Sequence, residues 1–216
     1  DDNGMYIRDS KPKVLGNYNP DFTGGVQNGF NYKNFSMSFL VDYRVGGEMF
    51  SGTNMYASGY SGNLESTLEG REGWYASEAD RIAAGVAPED WVATGGFLAE
   101  GVTADGSPNA VYVNPELYWG QFSSWTNEIH EEFIYDASFV KLREVTLGYS
   151  FPSRISDKLH LKGLSVALTA RNLWLIYSGV PNIDPESSYT NGNGQGYEIY
   201  SWPTRRSIGV NIKISL

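Results

Sequence analysis

The chain contains no cysteine. That absence removes disulfides, zinc–thiolate sites and cysteine nucleophiles together. It is compatible with export without establishing it. Histidine is scarce, with two in 216 residues. Charged residues make up only 19%, below the quarter usual in soluble domains. No run approaches the roughly 18 apolar residues of a membrane helix, which leaves β-barrels untouched because their strands alternate. Lys and Arg number 16 against 25 Asp and Glu, a formal charge of −9 with a pI near 4.7, so nucleic acid is an unfavourable partner. No GxSxG, P-loop or dinucleotide fingerprint occurs. The opening Asp1-Asp2-Asn3-Gly4 forms no signal peptide and reads as the start of a mature chain or of a fragment.

What is abundant is glycine (25) and aromatics, with 15 Tyr, 10 Phe and 6 Trp. With so few charges, this favours β structure with many turns. The most informative stretch is the last, Ser207-Ile208-Gly209-Val210-Asn211-Ile212-Lys213-Ile214-Ser215-Leu216. Ile208, Val210, Ile212, Ile214 and Leu216 alternate with small or polar residues. That is one strand with an apolar and a wet face, at the roughly 9–11 residues a tilted strand needs to cross a bilayer. The outer strand of a soluble sandwich shows the same alternation, so the rest of the chain must decide.

Phe22 to Tyr32 reads as a strand. Lys33-Asn34 reads as a two-residue hairpin turn. Phe35, Met37, Phe39, Val41, Tyr43 and Val45 then alternate with Ser36, Ser38, Leu40, Asp42 and Arg44. An Asp and an Arg on the wet face suit a water-filled lumen better than a sandwich core. Further strands are expected where Val145, Leu147, Tyr149 and Phe151 alternate with Glu144, Thr146, Gly148 and Ser150, and at Leu164 to Arg171. That makes five with the terminal strand. Between the second and third lies a long loop, about 47–138, with expected helices at Ser77 to Ala84 and from Asn114-Pro115-Glu116 towards Trp125. A connection this long in a compact domain is commonly functional.

The connections alternate long, short, long, short, long: 1–21, Lys33-Asn34, 47–138, 152–163 and 177–203. Short turns on one side and long loops on the other are the outer-membrane barrel pattern. Aromatics gather in two bands, Phe30, Tyr32, Phe35, Tyr149 and Phe151 at one level, Tyr43, Trp174, Tyr177 and Trp202 at the other, as interfacial girdles do. Lys141 and Arg143 share parity with Val145 and Leu147 and so point at lipid. Either they lie above the membrane or a bulge resets the register.

The stretch Tyr135-Asp136-Ala137-Ser138-Phe139-Val140-Lys141-Leu142-Arg143-Glu144-Val145-Thr146-Leu147-Gly148-Tyr149 resembles a known family. So do Leu168-Thr169-Ala170-Arg171-Asn172-Leu173, Pro181-Asn182-Ile183-Asp184-Pro185-Glu186, Asn19-Pro20-Asp21-Phe22-Thr23-Gly24-Gly25 and Tyr32-Lys33-Asn34-Phe35. Together, in this order, they resemble the C-terminal part of the barrel of SusC/RagA-type TonB-dependent outer-membrane transporters. The match is weakest across 50–130, and Leu216 stands where such barrels usually end in an aromatic. The resemblance implies an all-β fold: about five strands of a larger antiparallel transmembrane β-barrel of 22 strands with a plugged lumen, carrying long extracellular loops with short helices. It implies residence in the outer membrane of a Gram-negative bacterium. It also implies import of oligosaccharides or oligopeptides, energised through TonB by way of an N-terminal region absent from these residues. The partners it implies are a SusD-like surface lipoprotein, outer-membrane lipid and, among possible assemblies, a dimer of the transporter–lipoprotein pair. Residues 1–216 would then form one C-terminal barrel segment.

Other chemistry finds little support. His130-Glu131-Glu132 lacks the i, i+4 partner of a zinc helix, and His160 is far from it in sequence, so neither metal nor cofactor is expected. Asp184 and Glu186 could suggest a glycosidase pair, but Pro185 between them favours a structural turn. Asn191 to Gly196 lacks the carboxylates of a calcium loop and reads as a loop tip. No enzyme is expected. Trp74, Tyr75, Trp91, Tyr118, Trp119 and Trp125 in the long loop are the candidates for ligand or partner contact; packing of the loop's own helices is the competing reading. A secreted all-β carbohydrate-binding module is the alternative to the importer, and a glycan hydrolase a weaker third.

Overall fold

Alternation along five segments becomes one antiparallel sheet in the computed structural model, which describes residues 1–123, 129–188 and 190–216. Strands β1 (Phe22–Tyr32) and β2 (Phe35–Val45) form the expected hairpin. Lys33 takes a left-handed φ of 53° in the turn. Asn34 ties that turn to the neighbouring connection by donating its side-chain amide to the Ser150 carbonyl at 2.7 Å. The short strands β3 (Glu48–Ser51) and β4 (Ile134–Asp136) follow, then β5 (Phe139–Ser150) and β6 (Gly163–Ser178). The two-residue β7 (Tyr197–Glu198) and the terminal β8 (Ser207–Ser215) complete the set. The main sheet runs β1-β2-β5-β6-β8, and a small one runs β4-β3-β7.

Pairing lines up the apolar parities across all five long strands. One row is Tyr32, Phe35, Tyr149, Val166 and Ile212; the next is Phe30, Met37, Leu147, Leu168 and Val210. The opposite face carries Asn31, Ser36, Gly148, Ala167 and Asn211, then Gly29, Ser38, Thr146, Thr169 and Gly209. Thr146 and Thr169 share a hydrogen bond of 3.1 Å across it. A one-residue slip anywhere would exchange these faces.

β5 and β6 run longer than their alternation indicated. The alternation is clear only from Glu144 and up to Arg171, yet the strands begin at Phe139 and end at Ser178, close to the limits set by the expected connections 47–138 and 177–203. The cause is a bulge. Leu40 pairs with Glu144 but Val41 pairs with Leu142, leaving Arg143 as an extra residue. On the other side Glu144 pairs with Arg171 and Leu142 with Trp174, so Asn172 and Leu173 face the same irregularity. Asn172 adopts φ 51° there, a conformation Asn tolerates better than most residues. A bulge bends the strand and shifts parity by one, which ends the period-2 pattern without ending the pairing.

The chain divides into two compact units, one of residues 1–15 and 51–134, the other of 16–50 and 135–216. The second holds the sheets. Its small sheet was not anticipated: Gly46 and Gly47, both at left-handed φ (76° and 81°), turn the chain out of β2 into β3. Met49, Ala137 and Val180 form a buried cluster there with Tyr135 and Ile183 against it. Each piece is too short to show a period.

The first unit contains helices α1 (Gly52–Tyr56), α2 (Arg71–Ala84) and α3 (Pro115–Gly120), and α1 runs directly into a π-turn at Ala57–Ser61. A fourth helix, α4 (Ser153–Lys158), fills the short β5–β6 connection in the other unit. The helix expected from Ser77 starts six residues earlier. Ser77 is no cap: its buried hydroxyl accepts from Trp91 Nε1 and from the Thr94 N–H, both at 3.0 Å. α2 ends at Gly85 in the left-handed region, with Arg81 of the last turn paired to Glu78 at 2.9 Å. Asn114 caps α3 as its sequence indicated, accepting from the Glu116 N–H at 2.9 Å. α3 closes at Gly120, short of Trp125, which lies outside the described residues.

Candidate functional site

The bulge in β5 brings Lys141 and Arg143 to the polar face of the sheet. Asp42, also on that face, pairs with Lys141 across the ladder. The loop after β6 then delivers two carboxylates. Pro185 stands between them, and the Glu186 N–H donates to Asp184 Oδ1 at 3.1 Å, closing a tight turn. Lys141 Nζ donates to Asp184 Oδ1 at 3.0 Å, to Glu186 Oε2 at 2.5 Å and to Thr204 Oγ1 at 3.2 Å. Arg143 bridges Asp42 Oδ2 at 2.6 Å and Glu186 Oε1 at 2.7 Å, with Asn172 Oδ1 at 3.0 Å. Thr204 closes the circuit, donating its N–H to Asp184 Oδ2 at 2.9 Å and its hydroxyl to the same oxygen. Lys141 is only 3% exposed. A buried ammonium needs such company, since an isolated one is driven to neutralise.

Of the two readings of Lys141 and Arg143, the bulge is the one found. The tally is two cations against three carboxylates. Burial alone would raise the Asp184 carboxyl. The Thr204 hydroxyl, the Glu186 N–H, Lys141 and the Thr204 N–H outweigh it and hold the group down at about 2. Glu186 is likewise opposed by burial but lowered by Arg143 and Lys141. A glycosidase pair needs two carboxyls pushed apart in pKa, one kept protonated. Here both are held ionised, so the arrangement is a latch fixing the 179–206 loop to the sheet.

The loop aromatics fall into distinct places in the first unit. Tyr118 stacks on Phe97 at 4.0 Å and packs against Tyr6, Phe122 and Trp119 at 5.8, 5.3 and 5.1 Å. At 2% exposed it has no surface to offer, so the contact expectation for Tyr118 is corrected to core packing. Burial, then a hydrogen bond with Tyr6, raise its hydroxyl pKa. Trp119 is buried beside it, and Trp91 is tied to Ser77. Trp74, Tyr75 and Trp119 line one cavity of about 290 Å³. His130 is half-buried and partnered. Among the described residues no cluster of three or more His, Asp or Glu suits a metal.

The outward face of the main sheet is the other candidate surface. Ile208, Val210, Ile212 and Ile214 are 55–69% exposed, and Phe22, Val26, Phe30, Phe35, Leu147, Leu168 and Trp174 lie open as well. Water-soluble chains rarely expose apolar patches beyond a few hundred Å².

No family model matches the chain. It is 28% identical to TonB-dependent receptor P3 of Formosa agariphila over 221 residues, covering 99% of the chain and 18% of that receptor. It is 29% identical to TonB-dependent receptor P26 of the same organism, covering 94% of the chain and 18% of that receptor. Among solved structures it superposes on the RagAB peptide importer in its closed-closed state with a TM-score of 0.56, 20% identity and coverage of 97% of the chain and 19% of the neighbour. The open-open state gives 0.54 over 92% of the chain. The chain is similar in sequence to a segment of TonB-dependent receptors and in fold to part of the RagAB importer. It spans about a fifth of the length of these relatives. Sequence reasoning noted every member of the latch except Thr204 without joining them, because alternation cannot register a bulge.

Proposed function

We propose that this chain forms part of the wall and outer loops of an outer-membrane active importer of oligosaccharides or oligopeptides in a Gram-negative bacterium. On this reading the transporter is energised through TonB and works with a SusD-like lipoprotein. The five strands are part of a 22-stranded barrel, and the chain has no enzymatic role. Residues 47–138 are extracellular and offer Trp74, Trp91, Trp119 and Trp125 to partner or substrate. The observation that carries the reading is the continuous apolar face of the sheet. It is backed by small and polar residues on the other face, and its apolar side chains lie exposed. A soluble β-module would need that face covered. Likeness to TonB-dependent receptors along nearly the whole chain supports the same reading.

These 216 residues contain no cysteine, so a thiol test can read them once any cysteine elsewhere in the full protein has been replaced. Single cysteines at Ile208, Val210 and Ile212, and at Gly209, Asn211 and Lys213, are introduced into the full protein in outer membranes. The even positions are expected to resist a charged thiol reagent and to be quenched by a lipid-phase quencher. The odd positions should react from the aqueous phase. Equal aqueous reactivity at both parities would overturn the reading.

A further inference from the structure

The cations of this acidic chain are unevenly spread. The β1–β2 turn, Lys33-Asn34, and the β5–β6 connection, 151–163, hold four of its 16 Lys and Arg and one of its 25 Asp and Glu. The cations are Lys33, Arg154, Lys158 and Lys162; the acid is Asp157. All four cations are exposed, and none joins an ion pair among the described residues. A solvated surface usually mixes its signs. A patch of one sign on a chain of net charge −9 attracts counter-charge from outside.

The fold gathers these positions at one end of the main sheet. The Ser150 N–H donates to the Asn34 carbonyl at 2.9 Å, and the Lys162 N–H to the Ser215 carbonyl at 2.8 Å. The cations therefore form a collar from the hairpin turn to the end of β8. An aromatic band adjoins it: Phe35 lies 4.7 Å from Tyr149, and Tyr149 lies 5.1 Å from Phe151. Lys33 Nζ sits over the Tyr32 ring at 5.3 Å. α4 and the residue that caps it carry both chemistries. Arg154 and Lys158 are four apart, and so are Ile155 and Leu159, which are 41% and 54% exposed. An exposed apolar pair beside an exposed basic pair is the make-up of a segment lying in a headgroup layer.

We propose that this collar binds the headgroup of an anionic glycerophospholipid, of the phosphatidylglycerol class, in the leaflet on the short-turn side. The proposal rests on the import reading, which makes that leaflet the periplasmic one. Such a lipid answers both halves of the surface. Its phosphodiester meets the cations, and its acyl chains meet Ile155, Leu159 and the apolar rows of the sheet. Lys reaches a phosphate while its stem stays on apolar surface, and Arg154 can hold two phosphate oxygens at once. A free anion leaves the apolar half unmatched. A zwitterionic lipid makes the apolar contact and lacks the net charge. Each cation near an anionic surface is worth about fivefold in affinity, so the collar sorts lipids by charge.

The test uses the full protein, delipidated in a neutral detergent. Dioleoyl-phosphatidylglycerol and dioleoyl-phosphatidylcholine are titrated separately, and bound lipids are counted by native mass spectrometry. The first is expected to bind at least about tenfold more tightly, and less so as salt rises from about 0.05 to 0.5 M. Lys158→Gln with Lys162→Gln should weaken it about twentyfold. Arg205→Gln with Arg206→Gln, an equal loss of exposed charge at the other end of β8, should leave it unchanged. The salt dependence of the unaltered protein keeps the test decisive should the first pair perturb folding. Equal binding of the two lipids overturns the proposal, as does equal weakening by both pairs of substitutions. Displacement of the lipid by millimolar inorganic phosphate would mark a free-anion site and overturn it. Displacement by soluble muropeptides would assign the collar to the cell wall, with the same result. The thiol test on β8 does not depend on lipid charge, so failure here with that test passed removes the headgroup site alone.

Discussion

Replacing Lys141 by methionine tests the latch most directly. The side chain is 4% exposed and its ammonium serves Asp184 and Glu186 at 3.0 and 2.5 Å. Removing one partner of a buried ion pair costs about 3–5 kcal/mol, because the other charge stays buried and uncompensated. Here the damage is cushioned. Asp184 keeps Thr204 and the Glu186 N–H, and Glu186 keeps both contacts from Arg143, at 2.7 and 2.9 Å. The expected cost is therefore at the low end, about 3 kcal/mol. The exposed Arg171–Glu144 pair, with side chains 65% and 36% open, is the internal control. Glu144→Gln should cost at most about 1 kcal/mol. Urea unfolding of the reconstituted protein gives both values, and hydrogen exchange should show lost protection across 179–206 in Lys141→Met alone. Adding Asp184→Asn should recover part of the loss, because it removes the orphaned charge; the cycle reports the coupling. Lys141→Met within about 1 kcal/mol of wild type, with 179–206 as protected as before, would refute the reasoning.

The same latch carries a pH dependence. The Asp184 pKa is depressed to about 2 in the folded chain, so its contribution is complete above the unfolded value near 3.9 and fades as pH falls through the folded one. About 2 kcal/mol of loop stability should disappear over that interval, and exchange measured from pH 5 down to 2 should show no such loss in Asp184→Asn. Arg at Val210 or Ile212 should cost about 2–4 kcal/mol if these residues face the bilayer midplane, and Arg at Asn211 much less; equal assembly defects at both parities would contradict the face assignment. Ala104-Asp105-Gly106 is an exposed turn braced by hydrogen bonds from Thr103 and Ser107 to Asp105, so protease added to intact cells should cut near it, and cutting only after outer-membrane disruption would count against an extracellular loop. Residues 1–216 expressed alone should give no heat-modifiable band, because β1 and β8 are the two open edges of the sheet and unpaired edges are not tolerated in lipid.

The strands were legible where one physical cause acted alone. β2 and β8 alternate strictly and β1 nearly so, with no bulge between β1 and β2 or between β6 and β8, and the expected bounds matched except that β8 ends at Ser215, one residue short of Leu216. The Lys33-Asn34 turn was legible because two polar residues between such runs leave the chain little choice. Legibility failed where pairing and side-chain direction part company. At Arg143 and at Asn172-Leu173 the ladder goes on while the parity slips, so the alternation covers only part of each strand. It failed again at Ser77, whose side chain is compatible with a cap and with a buried acceptor. Only the fold, by delivering Trp91 and Thr94, selects the second role.

The latch shows why a site can be present in a sequence and still unreadable. Lys141 and Arg143 looked misplaced because parity put two cations on the apolar face. Asp184 and Glu186 looked like a turn because Pro185 fixes their local conformation. Each observation was sound locally, and neither contains the other, since 43 residues separate Lys141 from Asp184. The link is energetic. Two cations on a lipid face would cost several kcal/mol, and two neighbouring carboxylates repel unless cations lie between them. One extra residue in β5 relieves both at once by turning the cations onto the polar face where the loop returns. A bulge that re-aims side chains in this way is a designed feature of a sheet. A misplaced charge in an otherwise strict alternation is therefore its most useful sequence signal, and the opposite charges it needs are best sought in the long loop beyond the next strand.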